Sequence, residues 1–142
     1  MTICANNRRS LFGEVIEEKV HHSRIGEIVK DCWHQIPQHF PEVALDSFVI
    51  MPNHVHGIIL LVAGRVEHAR PLPLIVRSFK SAVSKAACRS IWQRNYYEHV
   101  IRDEDELNRI RDYIDDNPIM WSVDTENPAL ASIGANIPTT TR

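Results

Sequence analysis

The period of the apolar positions changes several times along the chain, and each change marks an element. Thr2-Ile3-Cys4, residues 11–15 and residues 19–21 read as three short strands, with Asn6-Asn7 turning the chain between the first two. The first begins so early that its upstream end is open. Over 23–36, Ile25, Val29, Cys32 and Ile36 recur at three- to four-residue steps, which predicts a helix with Ser23 as N-cap and Pro37 as its stop. Residues 43–51 and 55–62 are rich in β-branched side chains and flank Pro52-Asn53, the composition of a strand hairpin. A loop through Gly64 and the Pro71/Pro73 pair leads to a second helix over 74–90. Its Ile75, Phe79, Ala82, Val83 and Ala86 fall on a packing side, opposite Arg77, Lys80, Ser81, Ser84, Lys85 and Arg89. Residues 92–101 read as a last strand. Asp103 with Glu106 then forms an Asp-x-x-Glu capping box that opens a final helix, closed by Pro118.

Strands, helix, hairpin, helix, strand, helix is the order of an α+β chain. The expectation is a ferredoxin-like sandwich: an antiparallel sheet of four to five strands with helices packed on it and a C-terminal helix carrying Tyr113. A single domain is expected over 1–121, and a loosely ordered, Thr-rich tail over 122–142. A length of 142 residues with 44% apolar side chains suffices for one core without disulfides. Cys4, Cys32 and Cys88 form no CxxC pair, so they predict neither a disulfide framework nor a zinc-thiolate site, and they suit a reducing cytoplasm. The start of the chain lacks a signal pattern, and the longest apolar run, 58–63, is too short for a bilayer. A soluble cytoplasmic protein without a membrane partner is the expectation.

A net charge of −2 argues against duplex binding by global electrostatics. The average conceals an asymmetry. No Asp or Glu occurs over 68–97, which holds Arg70, Arg77, Lys80, Lys85, Arg89 and Arg94, whereas carboxylates gather over 14–18 and 98–116. The predicted second helix therefore carries an arc of Arg77, Lys80, Ser81, Ser84, Lys85 and Arg89, joined by Arg94 beyond it. That mixture suits phosphate oxygens, and it equally describes a solvated face short of acids.

The sharpest local feature is Met51-Pro52-Asn53-His54-Val55-His56-Gly57. Alternation on a strand puts His54 and His56 on one face, about 7 Å apart at Cα, where both can converge on one cation. Two histidines alternating on a solvent face give the same pattern. Gly57 removes a side chain beside the pair, which would allow a ligand's backbone to approach. On the last helix, Tyr113 and Asn117 stand one turn apart beside the Leu107, Ile110, Ile114 stripe, as a packed core-edge tyrosine or as one that reaches a site. A phenol near pKa ~10 suits reversible strand transfer, because its phosphate ester retains the energy of the cut bond. On 92–101, alternation sets Tyr97 and His99 on one face and Tyr96 and Glu98 on the other, and leaves open which pair faces the histidines. Trp92, Tyr96 and Tyr97 are candidate platforms for unpaired bases, and His99 is a candidate for proton transfer.

Taken together, the Met51–Gly57 motif, Val76-Arg77-Ser78-Phe79-Lys80-Ser81, Trp92-Gln93-Arg94-Asn95-Tyr96-Tyr97-Glu98-His99 and Tyr113-Ile114-Asp115-Asp116-Asn117-Pro118 resemble the REP-associated tyrosine transposases, within the HUH class of single-tyrosine transposases. The resemblance implies a ferredoxin-like nuclease and strand transferase for single-stranded, often hairpin-containing DNA, using Mg²⁺ or Mn²⁺ and a 5′-phosphotyrosine intermediate. It implies His54 and His56 as metal ligands and Tyr113 as nucleophile. Related insertion-sequence transposases place a Gln ligand four residues after the tyrosine, where this chain has the shorter Asn117. A cytoplasmic monomer or homodimer, nucleoid-associated when bound to DNA, follows. A domesticated regulator that only binds hairpin DNA is the alternative. A histidine-triad hydrolase is disfavoured by Ile58 at the position of the third histidine.

Overall fold

The computed structural model describes residues 1–64, 67 and 69–130. Its elements are β1 (Thr2–Cys4), β2 (Gly13–Ile16), β3 (Lys19–His22), α1 (Arg24–His34), a short α2 (Ile36–His39), β4 (Val43–Ile50), β5 (His54–Leu61), α3 (Leu72–Ala87) and α4 (Glu104–Met120), with single 3₁₀ turns at Asn6–Arg8 and Trp121–Val123. The predicted α+β class and antiparallel pairing are present. The main sheet has three strands in the order β1-β5-β4, and β2 pairs with β3 in a separate hairpin.

The fourth place in the main sheet belongs to the segment expected as a strand over 92–101, and here the structure corrects the expectation. Pairing with β1 occurs only at two isolated bridges, Ala5 with Trp92 and Thr2 with Tyr97. Between them the Lys80 ammonium donates to the carbonyls of Gln93 (2.6 Å) and Arg94 (3.2 Å). Carbonyls satisfied by a side chain need no ladder partner, so the segment follows the sheet edge without becoming a strand. Counting it, the order is the ferredoxin-like one, with β1 and β5 in the centre.

Three helix ends also differ from expectation. Ser23 does cap α1, accepting the Gly26 N–H at 3.1 Å, but the chain enters α2 with Pro37 in its first turn, where a missing N–H costs nothing. Helix α3 stops at Ala87 because Cys88 takes a left-handed conformation and Arg89 N–H folds back onto the Ser84 carbonyl. Helix α4 begins as predicted, with Asp103 accepting from Glu106 N–H and Glu106 reaching back to Arg102 N–H, each at 2.8 Å. It then runs through Pro118 to Met120. Burial of Ile114 and Asn117 holds that last turn, and Pro118 falls where the hydrogen-bond ladder is ending. The tail expected over 122–142 is described only to residue 130, and its Thr-rich end lies outside the described residues.

The main sheet has two faces with different work. On one, Ile3, Val55 and Phe48 meet α1 and α3, and Trp33 stacks on Phe48 (4.3 Å between ring centres, 5° between planes) and meets Phe79 edge-on. Ile75, Val76, Phe79 and Val83 are the buried face of α3, whereas Ala82 and Ala86, expected to pack, are exposed. Glu42, buried before β4, takes Arg70 through its backbone N–H, Nε and Nη2, and that guanidinium covers the Phe40 ring at 4.5 Å. Arg70 holds the Glu42 carboxyl down to about 2. The opposite face of the sheet carries His54, His56 and α4.

Gly57 explains why its position has no side chain. A Cβ there would stand 2.4 Å from the Trp33 ring, so the glycine makes room for the core and not for a ligand. Gly57→Ala is expected to cost about 1–3 kcal/mol by overpacking. Equilibrium denaturation should detect this loss, with part of it recovered when Trp33→Phe is added; a variant as stable as the parent contradicts the packing described.

Candidate active site

Strand β5 begins at His54, directly after the Pro52-Asn53 turn, so its alternation aims His54 and His56 at the α4 side. Both are buried, and their Nε2 atoms are 3.0 Å apart. Asn53 determines which of these nitrogens carries a proton. Its amide faces the Arg8 carbonyl at 3.2 Å and the Glu126 carbonyl at 2.7 Å, groups that only accept, so the NH₂ lies on that side. Its oxygen is left toward His54 Nδ1 at 2.7 Å, and Nδ1–H must donate to it. His54 Nε2 therefore carries the lone pair, which accepts from His56 Nε2–H across 3.0 Å. His56 Nδ1 lies 2.8 Å from Thr2 Oγ1, a hydroxyl that donates or accepts and so suits either tautomer.

Burial pushes both imidazoles below their ordinary range. For His54 it is opposed by the Asp124 carboxylate and the Asn117 side chain. His56 falls to about 3, with His54 and the Met1 ammonium adding to the effect of burial. Both are neutral at neutral pH, the form that ligates metal. Asn117 is buried beside them on α4, and its Oδ1 has no hydrogen-bond partner while its Nδ2 donates to the Tyr113 carbonyl at 3.3 Å. A buried acceptor left unpaired beside the histidines is costly without a ligand. Donors bound cis to one cation at about 2.1 Å stand about 3.0 Å apart, the separation of the two Nε2 atoms. Among the described residues no group of three or more His, Cys, Asp or Glu side chains could hold a metal.

Tyr113 reaches the pair from α4. Its ring packs edge-on against His56, 5.4 Å between centres, while the residue stays 57% exposed. Trp121 closes the other side, 6.1 Å from His54. His56 and Tyr113 open on a cleft of about 1290 Å³ between β5, α4 and residues 97–103. Tyr97, Glu98 and His99 all line it, so the segment, which is not a strand, does not sort them by alternation. His99 is engaged by the Glu106 carboxylate at 2.6 Å, and the Tyr96 hydroxyl donates to Glu98 at 3.4 Å. Sequence patterning carried no sign of Asn53, Thr2, Trp121, Arg102 or Arg109 at this site; the two arginines also line the cleft.

The remaining candidates lie elsewhere. Arg77, Ser81 and Lys85 share the outer face of α3, turned from the core and on the far side of the sheet from His54 and His56. Ser84 is half-buried, and Arg89 and Arg94 are exposed. Lys80 is occupied by the two carbonyls of the edge segment, and burial lowers its pKa. Trp92 is buried in the core, donating its indole N–H to the Lys80 carbonyl, and offers no free ring face to a base.

No family model matches the chain. It is 42% identical over 147 aligned positions to an uncharacterized protein of Haemophilus influenzae, covering 87% of this chain and 81% of that protein. It is 29% identical to a putative REP-associated tyrosine transposase of the same organism over 63% of this chain, and 29% identical to a REP-associated tyrosine transposase of Escherichia coli K12 over 53%. These alignments span 57% and 44% of the two named relatives, about half of their lengths. Among solved structures, a REP-associated tyrosine transposase bound to a REP hairpin superposes with a TM-score of 0.65 at 22% identity, over 83% of this chain and 64% of that one. The named relatives, the shared fold and the motifs laid out above point the same way: the chain resembles the REP-associated tyrosine transposases.

Proposed function

We propose that this chain cuts and rejoins single-stranded DNA beside a hairpin, with Tyr113 as nucleophile and a divalent cation held by His54 and His56. The observation that carries this reading is the exposed Tyr113 ring packed against the inner histidine of a buried, convergent pair within one chain. Tyr113 then serves its own chain's pair, and a monomer suffices for the chemistry. The cation, Mg²⁺ or Mn²⁺, fits the donor set of two imidazole nitrogens and the unpaired Asn117 oxygen. Nitrogen donors favour Mn²⁺, since Mg²⁺ takes mostly oxygen and leaves more of its shell to phosphate and water. When bound, the cation supplies positive charge that polarises the scissile phosphate.

The chain's own groups do the rest. The Tyr113 phenolic oxygen attacks phosphorus, the bond to the 3′ oxygen breaks, and a 5′-phosphotyrosine forms. The phenol gives up one proton and the departing 3′ oxygen takes one up, so the step is balanced. Attack by another 3′-hydroxyl reverses it, and the phenolate leaving group keeps that reversal accessible. Arg102 and Arg109 in the cleft suit phosphates near the cut, and Tyr97, 65% exposed, suits a stacked base. Arg77, Ser81 and Lys85, with Arg89 and Arg94, are assigned to phosphates of a hairpin stem away from the cut. Such a protein works in the cytoplasm, on the nucleoid while it holds DNA.

With Mn²⁺ and an end-labelled, hairpin-containing oligonucleotide, the protein should form a covalent adduct that survives denaturing electrophoresis. Tyr113→Phe should abolish the adduct and retain DNA binding. An adduct formed equally by that variant refutes the nucleophile, and binding without any adduct from the parent chain indicates a binding regulator.

The two cation types on α3 should separate in a salt titration. Arg77→Gln with Lys85→Gln should flatten the dependence of log affinity on log salt by about 2. Lys80→Gln should lower the melting temperature and leave the slope near that of the parent. A slope unchanged by the double substitution returns the outer face of α3 to solvent.

A further inference from the structure

Helix α4 crosses the sheet with Ile114 and Asn117 at the centre of its buried face. At 3.6 residues per turn, Arg111 and Tyr113 project about 80° to either side of that stripe. One flank therefore faces β4 and the other His56 on β5. On the β4 flank, Arg111 grips Asp46 with both arms of its guanidinium, Nε to Oδ1 at 2.8 Å and Nη2 to Oδ2 at 2.5 Å. Asp46 sits at an irregularity in the hairpin. Leu45 pairs with Ile59 and Phe48 with Gly57, so Asp46 and Ser47 together oppose Ile58 alone. This bulge turns the carboxylate toward α4, and the Ser47 N–H fixes it further by donating to Oδ1 at 2.7 Å.

We propose that the Asp46–Arg111 pair sets the roll of α4 about its own axis and thereby the position of the Tyr113 hydroxyl over His54 and His56. The inference rests on Tyr113 being the nucleophile, and both members of the pair are positioning residues that act through the helix, Arg111 also lining the cleft. The geometry makes the effect large. A phenol oxygen stands roughly 9 Å from the helix axis, so a roll of about 10° displaces it by about 1.5 Å. Displacements of that size cost about 100-fold in a reaction that depends on aligned attack. The buried stripe of Ile114 and Asn117 resists lifting of the helix, but packing contact is less directional than a hydrogen bond and constrains a small roll weakly. A forked, bidentate pair on the flank supplies the missing constraint. Arg111 holds the Asp46 carboxyl down to about 2, so the pair persists across the pH range in which the protein would act.

Two variants test this. Asp46→Asn removes the charge, and Arg111→Lys keeps the charge but loses the fork, the milder change if the first impairs folding. In each, single-turnover cleavage at saturating DNA is expected to fall about 10- to 100-fold, with DNA and Mn²⁺ affinities within about 3-fold of the parent. A readout independent of activity is the ring-current shift that Tyr113 imposes on the His56 ring protons, measured by NMR without metal. It should move toward the value found in Tyr113→Ala. An unchanged His56 shift in both variants overturns the proposal whatever the rate does, and a moved shift with an unchanged rate overturns the link from roll to chemistry. If the parent chain forms no adduct, the nucleophile assignment fails, while the His56 shift still decides whether the pair orients the helix.

Discussion

The hydrogen bonds of the Asn53 side chain are the constraint on which the site depends. One amide joins three parts of the chain: the turn into β5, the 3₁₀ turn at Arg8 and the segment at Glu126 after α4. Because two of its partners only accept, its oxygen is committed to His54, and the lone pair of His54 Nε2 is committed to the interior of the site. Replacing the amide by an apolar group would free the imidazole to take either tautomer. It would also strand two backbone carbonyls, so the same residue secures both the fold around the site and the chemistry within it.

The strand alternation of β5 then divides the molecule. Val55 and Gly57 belong to the Trp33 core, and His54 and His56 to the α4 side, where His56 opens on the cleft. A rigid core thus stands directly behind a polar site, with Gly57 the point of closest approach between the two. The basic helix α3 packs on the core side, so the candidate catalytic residues and the main cationic surface are on opposite faces of the sheet. A DNA that uses both must turn around the sheet edge, as a hairpin with a single-stranded flank can do and a straight duplex cannot.

Local patterns made a good part of this legible. The alternation of His54 and His56, the Ser23 cap of α1 and the Asp103 box of α4 follow from neighbours a few residues apart, and all three stand where patterning put them. What patterning missed is long-range. Asn53 reads as a turn residue until Arg8 and Glu126 are brought to it. Lys80 reads as surface charge until the edge segment arrives above it, and that contact also removes the expected strand over 92–101. Gly57 reads as space for a ligand until Trp33 fills it. Pro118 reads as a stop because helix propensity ignores the burial of Ile114 and Asn117 in the turn before it. In each case tertiary contact outweighed a correct local preference.

The proposed chemistry requires the His54–His56 pair to be a cation site whose donors are the two Nε2 atoms. The most direct measurement is pulsed EPR of Mn²⁺ added to protein carrying ¹⁵N in its histidine rings. Two directly coordinated imidazole nitrogens per ion are expected, with both couplings lost in His54→Ala/His56→Ala. A spectrum of Mn²⁺ coordinated by water alone, or one whose nitrogen couplings survive that double substitution, would contradict the account.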